Sequence, residues 1–152
     1  MTDKPGPGDE NDPYDLARFV LAQAEDYEMA LGEISAGRKR AHWMWYIFPQ
    51  FDGLGASAMS ERYAIRSAGE ARAYLAHPLL GPRLVRSCEA ALGVRGRSAT
   101  AIFGSPDDMK LRSSATLFAS VSGPGSVFER LLERYFDGKR DPQTLKLVTA
   151  AR

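Results

Sequence analysis

From Asp12 onward, apolar residues recur at the spacing of one helix face. Leu16, Phe19, Val20, Tyr27, Leu31 and Ile34 keep a 3.6-residue period for about six turns. Gly37 ends that run, and Arg38, Lys39 and Arg40 follow where cations suit the carboxyl end of a helix. Shorter apolar stripes predict further helices over 57–63, 67–76, 82–92, a brief one ending near Phe103 and Gly104, then 106–121, 127–136 and 142–148. The stripe of Phe128, Leu131, Leu132, Tyr135 and Phe136 is the strongest of these. No stretch alternates with period two, and β-branched residues do not cluster. The pattern predicts an all-α fold, a compact multihelical single domain over residues 12–152. Residues 1–11 are polar and rich in Gly and Pro, lack the apolar segment of a signal peptide, and read as a flexible tail.

Punctuation supports the helical reading. Ser67 with Glu70, Ser105 with Asp108, and Ser126 with Glu129 each place a hydroxyl three residues before a carboxylate, the spacing of a capping box. Asp12–Pro13 and Asp141–Pro142 pair an N-cap acceptor with a proline suited to the first helical position.

Between the first long helix and the rest lies Ala41 to Gln50, which holds both tryptophans of the chain. Trp43, Trp45, Tyr46 and Phe48 are crowded together although aromatic residues are 10% of the sequence. Such a run either seals a core or walls a pocket. His42, Tyr46 and Gln50 add hydrogen-bonding groups to it. Trp43 and Trp45 are two residues apart, so on a helix they face nearly opposite ways and one of them belongs to the core.

Totals narrow the function classes. A net charge of +1 from 20 basic and 19 acidic residues argues against a nucleic-acid binder. No window has the roughly 20 apolar residues of a membrane span, so no membrane role is expected. One cysteine, Cys88, cannot form an internal disulfide, which fits a cytoplasmic location. Two histidines and one cysteine leave few zinc ligands, and no Walker A loop, nucleophile elbow or zincin motif is present; no metal or cofactor is expected.

The order of motifs resembles one known family, the bacterial DUF1810 proteins, often labelled calpastatin-like. The resemblance rests on His42 to Gln50, Gly53 to Gly55, Tyr63 to Ile65, Glu70–Ala71, Tyr74–Leu75, His77–Pro78, Leu80–Gly81, Arg83–Leu84, Phe103–Gly104, Asp108, Lys110–Leu111, Ser113–Ser114, Thr116 to Phe118, and Asp141 with Thr144–Leu145. It covers about residues 12 to 148 and implies a compact, monomer-sized helical fold, with no activity to carry over. The calpastatin label does not fit, because calpain inhibitors are repetitive and disordered whereas this chain has a core. In helix order the chain is also similar to the ADP-ribose-linked NADAR proteins.

Candidate chemistry stands beside plainer readings. His42 is a candidate acid/base, yet its commoner fate is to close the first helix. The Gly53 to Gly55 loop before a helix could cradle a phosphate, though an ordinary turn is favoured. Lys110, Ser113 and Thr116 share an i, i+3 face able to hold a sugar or phosphate; back-bonded hydroxyls are the competing account. Asp107 is a second acid/base candidate, and Arg83 either forms a salt bridge or grips an anion. The leading expectation is an aromatic pocket in which Trp43, Trp45, Tyr46, Gln50, Arg83, Lys110 and Ser113 bind a polar anionic small molecule such as a nucleotide or ADP-ribose, with hydrolysis as the reaction class if there is one. The rival is a non-catalytic protein–protein interaction module whose aromatic run docks a partner; accessible area separates the two.

Overall fold

Helix starts organise the chain. In the computed structural model, which describes residues 11–151, the side chains of Ser57, Ser67, Ser98, Ser126 and Asp141 each accept a hydrogen bond from the backbone amide three residues on, at 2.9–3.2 Å. Among the described residues nine helices result: α1 (Ala17–Ser35), α2 (Met44–Ile47), α3 (Ala58–Arg62), α4 (Ala68–Ala76), α5 (Leu80–Gly93), α6 (Ala99–Phe103), α7 (Asp107–Ser120), α8 (Val127–Phe136) and α9 (Pro142–Ala150). The fold is all-α. An isolated parallel bridge joins Phe51 and Ile65. No helix among these residues is long and apolar enough to cross a membrane. The expected tail falls, Asn11 aside, outside the described residues.

Several expected boundaries shift for local reasons. The N-cap of α1 is Leu16 rather than the expected Asp12, whose two carboxylate oxygens take the amides of Leu16 and Ala17 from four and five residues back, so Pro13 lies in a preceding turn rather than at the first helical position. Ser105 caps nothing; it sits in a cis peptide with Pro106, and the Asp108 carboxylate instead takes the Thr100 hydroxyl at 2.6 Å and its neighbour's amide. In the two glutamate boxes the carboxylate reaches one residue further back than expected, to the amides of Arg66 and Gly125. His77 Nδ1 accepts from Leu79 and Leu80, which starts α5 two residues before the expected Pro82.

The helices enclose one continuous core in which α5 contacts α1, α4 and α8, and α7 contacts α4, α6, α8 and α9. Two aromatic groups fill it. Phe19, Tyr74, Phe118 and Phe128 follow one another in edge-to-face and tilted contacts with centroid separations of 5.0, 5.4 and 5.6 Å. Trp43, Phe48 and Phe103 form a triangle with centroids 5.9–6.5 Å apart.

Arg18 ties three segments together. Its guanidinium is nearly enclosed and spends five N–H groups on the carbonyls of Arg62, Tyr14, Asp15 and Ala64 and on the Glu70 carboxylate. The Phe51–Ile65 bridge then clips the Gly53–Gly55 loop and α3 beside Gln50, whose carbonyl accepts from the Ile65 amide at 2.9 Å.

Gly81 sets the joint between α4 and α5. A Cβ there would lie 2.1 Å from the Leu75 carbonyl oxygen, which no side-chain adjustment relieves. Alanine gains about 1 kcal/mol over glycine in an unstrained helix. Gly81→Ala is nevertheless expected to lower stability in urea unfolding by about 1–3 kcal/mol, the usual cost of overpacking. A stability gain would show that the two helices separate freely.

Candidate functional site

Large rings in the middle of a sequence are cheap to bury only if their polar atoms find partners, and α1 supplies them. Gln23, Asp26, Ala30 and Glu33 lie on one stripe of that helix, facing the aromatic run. The Gln23 amide donates to the Tyr46 carbonyl at 2.7 Å and to the Tyr74 hydroxyl at 3.0 Å. The Tyr46 hydroxyl donates to Asp26; burial first, then that carboxylate, pushes its pKa up. Glu33 Oε1 accepts from the amides of Arg40 and Ala41 and from the Trp43 indole N–H at 2.8–3.1 Å. Burial works to raise the Glu33 pKa, but those three donors and nearby Lys39 carry it below its ordinary 4.5.

The indole of Trp43 is 0% exposed, and Met44, Tyr46, Ile47 and Phe48 are buried with it. Trp43 and Tyr46 are thus core residues, and this corrects the expected aromatic pocket wall: their rings already contact other rings and have no free face for a ligand. Trp45 is half-buried. Neither Trp nor Tyr46 lines any of the clefts described below. His42 is exposed, and its carbonyl rather than its ring meets the Tyr46 hydroxyl, at 3.4 Å.

What the aromatic run does position is a line of charge. Lys39 lies over the Trp43 ring at 4.9 Å, and Lys110 over the Trp45 ring at 5.4 Å. Between them Asp107 gives Oδ2 to Lys39 at 2.9 Å and Oδ1 to Lys110 at 3.4 Å. Both carboxylate oxygens are therefore occupied, which removes the geometry expected of Asp107 as a free acid/base. Two lysines and one aspartate leave the group with one net positive charge.

Lys110 also lines a cleft of about 330 Å³ bounded by the Gly53–Gly55 loop, α3, the first turns of α7 and the start of α9. Gln50, Gly55, Ser60, Ser113 and Asp141 share it. Three expected ligand-binding residues, Gln50, Lys110 and Ser113, come together here with the expected loop. The Gln50 side-chain amide has no partner among the described residues. Ser113 is less available: its hydroxyl donates back to the Met109 carbonyl at 3.1 Å and lies 3.4 Å from Asp141, so the back-bonded account of the α7 hydroxyls holds for it. Thr116 behaves likewise, donating to Arg112 and accepting from the Asp141 amide. Arg83 stands apart, in a different cleft with Tyr27 and Arg86. The sequence reading missed Ser60 and assigned Asp141 only its cap. Proximity to the loop gave no local signal for either residue.

A further cleft of about 360 Å³ surrounds Arg18, Glu70, Arg62 and Arg66. Its buried arginine has no N–H left to offer, so this cleft reads as the outside of a structural joint.

A family model described as a protein of unknown function, DUF1810, matches residues 13–148. Among solved structures, the crystal structure of the conserved hypothetical protein Rv1873 from Mycobacterium tuberculosis is similar, with 51% identity and a TM-score of 0.89 over 91% of this chain and 99% of that one. No curated protein matches the chain.

The lowered Glu33 pKa gives a signed expectation. A depressed folded pKa contributes stability that is present above the unfolded value of 4.5 and is lost as pH falls through the folded one. Glu33→Ala should cost about 2 kcal/mol at pH 7, as for hydrogen bonds to a charged group. Its gap to the wild type should narrow in urea titrations run from pH 5 down to pH 3. A gap constant across that range would contradict the role given to the carboxylate.

Proposed function

Because the chain belongs to the DUF1810 family, whose function is unknown, we propose a role from the cleft at Lys110: it binds a polar small molecule with one anionic group and several hydroxyls. One observation carries this reading. Lys110 is steadied between the Trp45 ring and Asp107 at the cleft wall, next to a Gln50 amide with nothing to bond among the described residues. The ammonium meets the anionic group, while Gln50, Ser60 and the carboxylate of Asp141 offer donors and acceptors to hydroxyls. The first turns of α7 and α9 add the positive ends of two helix dipoles.

Size narrows the ligand. Small-molecule pockets run from roughly 300 to 1,000 Å³, and this cleft, at about 330 Å³, suits a sugar phosphate better than a whole ADP-ribose. No aromatic ring lines it, so base stacking is not part of the reading. Asp141 is its one lining carboxylate, and Oδ2 is committed to Thr144, which favours binding over glycoside hydrolysis. The interaction-module rival is less well supported, because the rings that would dock a partner are buried. A single buried thiol, Cys88, agrees with a reducing, cytoplasmic setting.

Trp45 is the natural reporter, since an anion on Lys110 changes the field at its ring while Trp43 stays enclosed. Ribose 5-phosphate at millimolar concentration is expected to shift tryptophan emission saturably in the wild type. Lys110→Gln should weaken that response roughly tenfold, the scale of a lost charge-assisted hydrogen bond. An unchanged wild-type spectrum, or an unchanged titration in the variant, would remove the proposal.

A further inference from the structure

A separate cleft, of about 270 Å³, lies between α1 and the start of α5 and is lined by Tyr27, Glu28, Pro78, Leu79, Arg83 and Arg86 among others. Tyr27 is 4% exposed. Its hydroxyl is the one buried side-chain nitrogen or oxygen among the described residues that has no hydrogen-bond partner. Buried polar atoms are almost always paired, so an orphan beside a cleft invites a ligand as its partner.

The two arginines strengthen that expectation. Arg83 lies over the Tyr27 ring at 4.6 Å and uses one N–H, at the long distance of 3.4 Å, on the Gln23 side-chain oxygen. Neither Arg83 nor Arg86 forms an ion pair among the described residues. They are three residues apart on α5 and so share a face, where like charges repel unless an anion sits between them. Arg18 shows the contrast, with its five donors consumed by the protein. Burial raises the Tyr27 pKa, and Arg86 followed by Arg83 pulls the other way; Arg86 is near enough to act on the phenol without forming a well-aligned bond to it. Glu28 is exposed on the rim and offsets one of the two positive charges, which leaves the cleft at +1.

We propose that this cleft is an oxyanion site, which takes a phosphate group between the Arg83 and Arg86 guanidinium groups with the Tyr27 hydroxyl donating a third hydrogen bond. Guanidinium forks match the oxygens of a phosphate, and the phenol supplies a donor that is already desolvated. The apolar walls of Pro78 and Leu79 leave room for a small substituent, so inorganic phosphate and a simple phosphomonoester share the required chemistry. The site is independent of the cleft at Lys110.

The test follows arginine side-chain N–H resonances in the full-length, isotope-labelled protein during titration at constant ionic strength. Inorganic phosphate is one arm, glycerol phosphate a second and chloride the control. Saturable shifts at Arg83 and Arg86 are expected in both phosphate arms, and the tighter arm identifies the source. Arg86→Gln should weaken binding roughly tenfold. Tyr27→Phe should weaken it severalfold while leaving thermal stability equal or higher, since it removes an unpartnered buried hydroxyl. Lys110→Gln should leave these shifts intact, which separates failure here from failure at the other cleft. Shifts that do not saturate, that chloride reproduces, or that persist unchanged in either Arg86→Gln or Tyr27→Phe overturn the proposal, as does their loss in Lys110→Gln.

Discussion

A short run of large side chains, Trp43 to Phe48, is mostly buried against the rest of this molecule, and α1 makes that burial tolerable. The indole N–H of Trp43 and the hydroxyl of Tyr46 donate to Glu33 and Asp26, and the carbonyl of Tyr46 accepts from the Gln23 amide. A buried polar group left unpartnered costs about 1–3 kcal/mol, so three of them would forfeit roughly 3–9 kcal/mol. That is comparable with the whole stability of a domain this size, about 5–15 kcal/mol. Ala30, fully buried on the same stripe, lets the two elements approach. The aromatic run and the first long helix therefore specify each other, and α5 joins that pair to α4 and α8.

Many short helices create many unpaired carbonyls, and arginine closes a number of them. Arg18 takes four, Arg97 takes those of Gly37 and Ala101, Arg112 those of Lys139 and Arg140, and Arg134 those of Leu92 and Val94. A guanidinium does this better than an ammonium because its planar fork reaches two acceptors at once. Apart from the pairing of Arg18 with Glu70, these arginines are spent on the backbone rather than on acids.

The helical architecture was legible because it rests on local rules: apolar period, serine caps, and a glycine such as Gly37, whose φ of +76° ends α1. The caps that failed did so through contacts made at a distance. Ser105 does not cap α7, and its expected partner Asp108 pairs with Thr100 across the α6–α7 joint, a contact that no spacing rule encodes. Site reading was divided in the same way. Gln50, Lys110 and Ser113 could be grouped because their neighbourhood is a loop and one helix face. Arg83 could not be separated from them in sequence, because the distinction depends on which side of α5 meets Tyr27. The polar stripe of α1 was passed over for a related reason. Gln23, Asp26 and Glu33 look like solvent-facing residues until an aromatic segment is laid against them.

The two-residue spacing of Trp43 and Trp45 has a consequence beyond packing. Opposite directions on one turn send the first indole into the core and leave the second half-buried at the edge, and each ring carries a lysine on its face. Asp107 joins those lysines, so a rigid buried element fixes the position of a cation at the surface through two ring contacts and two ion pairs. Lysine side chains are flexible, and an unsupported one is a poor anchor because binding must overcome its rotamer entropy. Lys110 escapes much of that cost because its position is already restricted. If the proposed cleft binds an anion, the density of rings in residues 43–48 bears on that capture indirectly: the rings need not touch a ligand to determine where its charge is held.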